Sequence, residues 1–164
     1  MTSTGRSRLL QSSSATESSE LWETLAFGAA AESPLWAEAL RAHPEREPVF
    51  SPLAPARFAL GLETIYEGYL LHYGRSRLFD PPDPEAALLL GDYLYAHGLV
   101  RVAELGEVEA VATLAELISV CAHLRAEQEG GDADAWVDSA HRLGGQSSGA
   151  GVERAVASHA ARMR

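Results

Sequence analysis

Apolar residues recur three and four positions apart along most of this chain, and nowhere do they alternate for a useful length. That spacing marks helices burying one side, and its consistency predicts an all-α fold. From Ser19 a short helix carries Leu21, Trp22, Leu25 and Phe27. Ser33-Pro34, a capping residue followed by proline in a first turn, restarts the chain into a second with Leu35, Trp36, Ala39 and Leu40. Residues 43–55 break helix repeatedly with proline and read as a connection. From Ala56 to Tyr73 the residues Phe58, Leu62, Ile65, Tyr69 and Tyr73 define an amphipathic helix, closed by Gly74. After the loop RSRLFDPPDP, Asp83 as cap and Pro84 in the first turn open a helix over 84–105. Gly106 separates it from another over 107–126, with Val108, Val111, Ala115, Ile118 and Ala122 on one face and Leu114, Leu117, Cys121 and Leu124 on the next. Two successive helices this widely apolar are not both expected on the outside. Gly130-Gly131 is a hinge or turn, Asp132 to Leu143 a short helix, GGQSSGAG a flexible loop, and Val152 to Met163 a last amphipathic helix.

Within the 84–105 helix, Leu88 to Leu99 (LLLGDYLYAHGL) is apolar nearly all round, yet Gly91 and Asp92 stand at its middle. A mid-helix glycine costs about 1 kcal/mol against alanine, so it usually admits a close neighbour. A carboxylate among leucines and tyrosines needs hydrogen-bond donors or a metal, or stays protonated. The segment is therefore expected at the centre of the bundle.

The chain has 164 residues, enough for one domain with a real core, and no run approaches the roughly 18 apolar residues of a membrane span. Residues 1–18 carry two arginines and many serines but no continuous apolar stretch, which fits a disordered tail rather than a secretory signal, leaving 19–164 as a single helical domain. The formal charge of −10, from 13 basic and 23 acidic residues, makes nucleic acid a poor partner. Each of the 13 is arginine; lysine and asparagine are absent, so lysine chemistry of any kind is excluded. The lone Cys121, set among Ile118, Val120 and Ala122, reads as a buried structural thiol and fits a reducing, cytoplasmic setting.

Glu63 and Glu67 lie four apart on one helix face, a spacing that suits a divalent metal, solvated surface acids, or a buried acid paired with arginine. Arg75 and Arg77 are candidate contacts for an anion, since paired guanidinium groups suit phosphate oxygens; salt bridges to Asp80 and Asp83 are the alternative.

Taken together, Glu63-Thr64-Ile65-Tyr66-Glu67-Gly68-Tyr69-Leu70-Leu71-His72-Tyr73-Gly74 and, after the loop, Ala87-Leu88-Leu89-Leu90-Gly91-Asp92-Tyr93-Leu94 resemble the first half of a trans-isoprenyl diphosphate synthase, the polyprenyl synthetase family. That family carries E-l-i-H-x-a-S-L-i-H-D-D followed by A-V-L-L-G-D-y-L. Leu114-Ala115-Glu116-Leu117-Ile118 resembles its following segment, and Ser139-Ala140-His141-Arg142-Leu143-Gly144 is a weaker match to its later a-x-R-L-G. The overlap covers roughly residues 58–125, and the resemblance implies an isoprenoid-synthase-like core over about 56–144.

The departures are chemical. Family enzymes gather carboxylates one turn apart to hold Mg²⁺ against a diphosphate. Tyr73, Gly74 and Arg77 occupy those acidic positions here, the following loop is shortened, the family's lysines are missing, and the sequence ends before a second aspartate-rich helix. The resemblance thus implies no catalytic, cofactor or metal residues. It implies a non-catalytic subunit or pseudoenzyme that pairs with a prenyl synthase or with itself, as family members dimerise through helices of this region. An apolar surface along 84–105 and 107–126, covered in a dimer, is the corresponding expectation.

The resemblance also sets His72, His97 and Asp92 on adjacent helices. With Glu63 they are expected to form a buried polar network closed by a tyrosine hydroxyl, metal or acid–base chemistry being the alternative. Tyr66, Tyr69, Tyr73, Tyr93 and Tyr95 either pack the core or line a cavity for an isoprenoid chain. A generic helical interaction module and a small enzyme built on His72, His97 and Asp92 remain the competing functional classes.

Overall fold

The structure is a computed structural model describing residues 19–163, so the serine-rich segment 1–18 lies outside it. Among the described residues, α1 spans 19–32, α2 Pro34–Glu38, α3 Ala59–Tyr73, α4 Pro84–Ala103, α5 Val108–Ala126, α6 Asp132–Arg142 and α7 Gly149–Arg162, with 3₁₀ turns at Ser51–Leu53 and Ala56–Phe58. No β-strand occurs among them; Leu40 and Phe79 make one isolated antiparallel bridge. The fold is all-α, as the periodicity predicts.

Capping sets the clearest boundaries. The Asp83 carboxylate accepts the Ala86 N–H at 2.8 Å, with Pro84 in the first turn of α4. α7 begins three residues earlier than its apolar pattern suggests, because Ser148 Oγ accepts the Gly151 N–H at 3.2 Å. The glycine-rich run therefore supplies a helical turn rather than a loop alone.

The central helix is α3. Every residue from Gly61 to Leu70 is buried, so this helix is enclosed on all sides. On one side Phe50, Leu53, Leu114, Leu117, Cys121, Trp136 and Ala140 pack against Phe58, Leu62, Ile65, Tyr66 and Tyr69. On the other, Trp22, Leu25, Ala29, Leu78 and Phe79 pack with Leu90 and Leu94 of α4. The expectation that Leu88–Leu99 forms the centre is corrected: α4 buries one side against α3 and leaves Leu88, Leu89 and Val100 about half exposed.

α3 and α4 cross antiparallel through two glycine pairs. A Cβ on Gly68 would stand 2.8 Å from the Gly91 carbonyl oxygen, and one on Gly98 would stand 2.5 Å from Ile65 and 3.0 Å from the Gly61 oxygen. A Cβ on Gly61 would collide with Val102. The pairs Gly61/Gly68 and Gly91/Gly98, each seven apart, put two flat patches on one face of each helix, so the backbones touch. Gly91 is thus a packing joint, one of four.

Candidate functional site

The most polar part of the core surrounds Arg77. Its guanidinium is fully buried, with Nη1 2.6 Å from Glu63 Oε2 and Nε 2.8 Å from Glu67 Oε2. Nη1 also donates to the Glu47 carbonyl at 2.9 Å, and the guanidinium lies over the rings of Trp22 (4.7 Å) and Tyr66 (4.9 Å). Two carboxylates face one cation, and five further donors complete their shells. Val49 and Ser51 N–H groups, each at 3.1 Å, bind Glu63. Arg77 and Leu78 N–H groups, at 2.8 and 2.9 Å, bind Glu67 together with the Ser76 hydroxyl. Burial alone would lower the Arg77 pKa; the two carboxylates reverse this and hold it above its ordinary value. The cluster fastens two loops, 49–51 and 76–78, to the central helix.

Of the readings open for Glu63 and Glu67, the buried acid paired with arginine is the one found, and only the expectation for Arg77 as an anion contact is corrected. Glu63 and Glu67 do share a face, but an arginine from the chain occupies the place of a cation between them. Arg77 is closed to a dissolved anion, because its donors are spent inside the core. Arg75 reaches Glu45 at 2.5 Å, and Glu45 also binds Arg162 at 2.7 Å, tying the loop to the end of α7. The acids expected to pair with the two arginines lie elsewhere: Asp80 is 3.5 Å from Arg41, and Asp83 caps α4.

A second buried chain of polar groups was not anticipated. Tyr66 Oη lies 3.0 Å from His159 Nδ1, His159 Nε2 lies 3.2 Å from Asp132 Oδ2, and Asp132 also receives Tyr69 Oη and Arg125 Nη2. Arg125 closes the group on Tyr69 Oη at 2.8 Å. Burial holds His159 below its ordinary pKa although Asp132 pulls upward. Burial would raise Asp132, but hydrogen bonds from Tyr69 and Arg125 and the charges of His159 and Arg125 leave it lowered. Tyr66 and Tyr69 are pushed well above the usual phenol range, chiefly by burial. The group joins α3, α5, α6 and α7. Asp132 in the first turn of α6 and His159 on α7 were the available signals, but they stand 27 positions apart in sequence, and only the fold brings them into contact.

The expected network of Glu63, His72, Asp92 and His97 does not exist as one unit. Glu63 belongs to the Arg77 cluster. His72 Nε2 is 3.1 Å from Asp92 Oδ1, close enough for an ion pair when the ring is protonated, and among the described residues this nitrogen is not otherwise hydrogen-bonded. His97 stacks on Tyr93 at 5.1 Å. Asp92 is not buried: its side chain is 67 % exposed, against 8 % for His72. The tyrosines pack rather than line a cavity. Tyr66 and Tyr69 stack at 6.0 Å around Trp136, Tyr93 meets Trp36 at 4.4 Å, and Tyr95 stacks on His72 at 5.0 Å. A cleft of about 710 Å³ opens elsewhere, between Leu21 and Trp22 of α1 and Pro52, Ala56, Arg57 and Leu60. Cys121 is buried, and its thiol is pushed up to about 12 by burial. Among the described residues no three His, Cys, Asp or Glu side chains gather as a metal set, and no helix is long and apolar enough to cross a membrane.

Phe27 of α1 and Leu35 of α2 stand outward singly, while most of the exposed large apolar side chains lie on or between α4 and α5. Leu88, Leu89, Asp92, Ala96 and Val100 recur three and four apart along α4 and are all exposed. Val108, 77 % exposed, leads a similar line on α5 through Ala112 and Ser119. Tyr95 and Leu99 from one helix and Val111 and Ile118 from the other turn toward the core. These two exposed lines lie on the helices that meet at that seam, with Asp92 the charge at the middle of the α4 line and Glu109 and Glu116 also exposed on α5. No family model, no curated protein and no solved structure matches this chain.

Proposed function

We propose that the chain is a non-catalytic assembly subunit, an isoprenyl-synthase-like scaffold that pairs with a second copy of itself through the outer face of α4 and α5. The observation carrying this reading is the line Leu88, Leu89, Ala96 and Val100, continued by Val108 on α5, in a chain that otherwise carries 36 charged residues. Such a face is costly to leave in water. A helix of 20 residues is about 30 Å long, and with a neighbour roughly 10 Å away the two present a face of about 600 Å². Two copies would bury about 1,200 Å², the lower end for a stable pair. A face made of one helix pair suits a two-fold axis, where the same patch meets itself.

Loss of chemistry is supported by Arg77, which stands at a position acidic in the prenyl synthases and is consumed by Glu63 and Glu67. The resemblance of Ala87–Leu94 to that family names a full-length prenyl synthase as the heteromeric alternative. Sedimentation of the full chain at roughly 1–100 μM tests the reading. Wild type is expected as a dimer and Leu89→Glu as a monomer of unchanged helicity; a monomeric wild type across that range overturns it.

A further inference from the structure

The middle of the α4–α5 face is unusual for a docking surface. Asp92 sits one turn from Leu88, Leu89 and Ala96, and behind it, reaching from α3, lies the His72 ring. The glycine crossing makes this approach possible: a Cβ at position 91 would stand 2.7 Å from His72 Nε2. Nε2 thus ends under the exposed carboxylate, buried and, among the described residues, without a hydrogen-bond partner. The other groups around His72 are neutral: Tyr73 on its own helix at 5.5 Å and Tyr95 from α4 at 5.0 Å. From α5, Cys121 and Arg125 face this corner through Tyr73 and act on it rather than on the imidazole. Asp92 is therefore the charge that decides whether His72 takes a proton.

Covering the face removes water from Asp92. A lone carboxylate in an apolar interface is strongly unfavourable, and in a two-fold pair it is also brought toward its symmetry mate. The cheapest counter-charge is already in place 3.1 Å away. We propose that docking through the α4–α5 face takes up one proton at His72 in each protomer, so that association tightens as the solution is acidified. In the separate chain burial holds the imidazole below its ordinary value against the pull of Asp92. Desolvating Asp92 strengthens that pull, so the bound state prefers the imidazolium; by linkage, affinity rises as pH falls through the histidine range.

This inference rests on the pairing reading above, and the measurement separates the two. The self-association constant of the full chain is measured by sedimentation at several pH values from about 8 to about 5.5. Wild type is expected to bind about tenfold tighter at the acid end, below the ceiling of tenfold per pH unit for each proton taken up. Asp92→Asn, a change at an exposed site, is expected to bind tighter at neutral pH and to lose the slope. A wild-type dimer with a flat profile, or an Asp92→Asn chain that keeps the wild-type slope, overturns the inference alone. No association at any pH overturns the pairing reading and the inference with it.

Discussion

Replacing Arg77 with methionine removes the cation from a fully buried site while keeping much of its aliphatic volume. Glu63 and Glu67 are then left side by side on one buried face of α3 with only backbone and hydroxyl donors. Removing one partner of a buried ion pair typically costs about 3–5 kcal/mol, because the remaining charge is stranded without water. The two ring contacts with Trp22 and Tyr66 add a smaller loss, of order 1 kcal/mol, part of which the thioether restores. Taking about 4 kcal/mol and roughly 2–4 °C per kcal/mol for a domain this size, Tm should fall by about 8–16 °C. Arg75→Met provides the contrast: its pair with Glu45 is half exposed and worth about 1 kcal/mol or less. Thermal unfolding followed by circular dichroism, with urea midpoints as a check, reads both. In a double-mutant cycle Glu67→Gln should recover part of the Arg77→Met loss, since it removes one stranded charge. Equal and small effects at positions 75 and 77 would refute the reasoning that the cluster, and not the sequence pair, organises this corner.

Two further outcomes follow from the packing. Gly68→Ala gains about 1 kcal/mol in helix propensity but pushes a methyl group to 2.8 Å from the Gly91 carbonyl, so a net loss of about 1–2 kcal/mol is expected in urea unfolding; a stabilised variant would show that the helices part freely. His159 and Asp132 both have folded pKa values below their ordinary ones, so the unfolded chain binds more protons and stability falls as pH drops, first through the histidine range and then through that of aspartate. His159→Phe should remove the first step and cost about 1–3 kcal/mol at neutral pH by orphaning Tyr66 Oη, as read by unfolding curves at several pH values; an unchanged slope would place the acid sensitivity elsewhere.

The sequence alone determined the elements. The three-and-four spacing, the Asp83-Pro84 start and the glycine and proline breaks are local signals, because helix periodicity and capping are satisfied within a few residues of chain. Gly91 was legible as a close approach for the same reason, and Cys121 as a buried thiol from its apolar neighbours. Which helix lies at the centre was a tertiary decision. α3 carries Glu63 and Glu67 and so reads as half polar, yet Arg77, ten and fourteen residues away, turns inward and neutralises them, which lets every side of α3 be enclosed. α4 looks more apolar, yet part of its apolar surface has no partner among the described residues. The same holds for the polar groups: Asp92 lies outside and Asp132 inside, although each is an acid near an aromatic residue of its own helix. Local pattern reports how much apolar surface a helix has. Only the packed structure decides which of it is covered, and which charge goes in with a counter-charge to meet it.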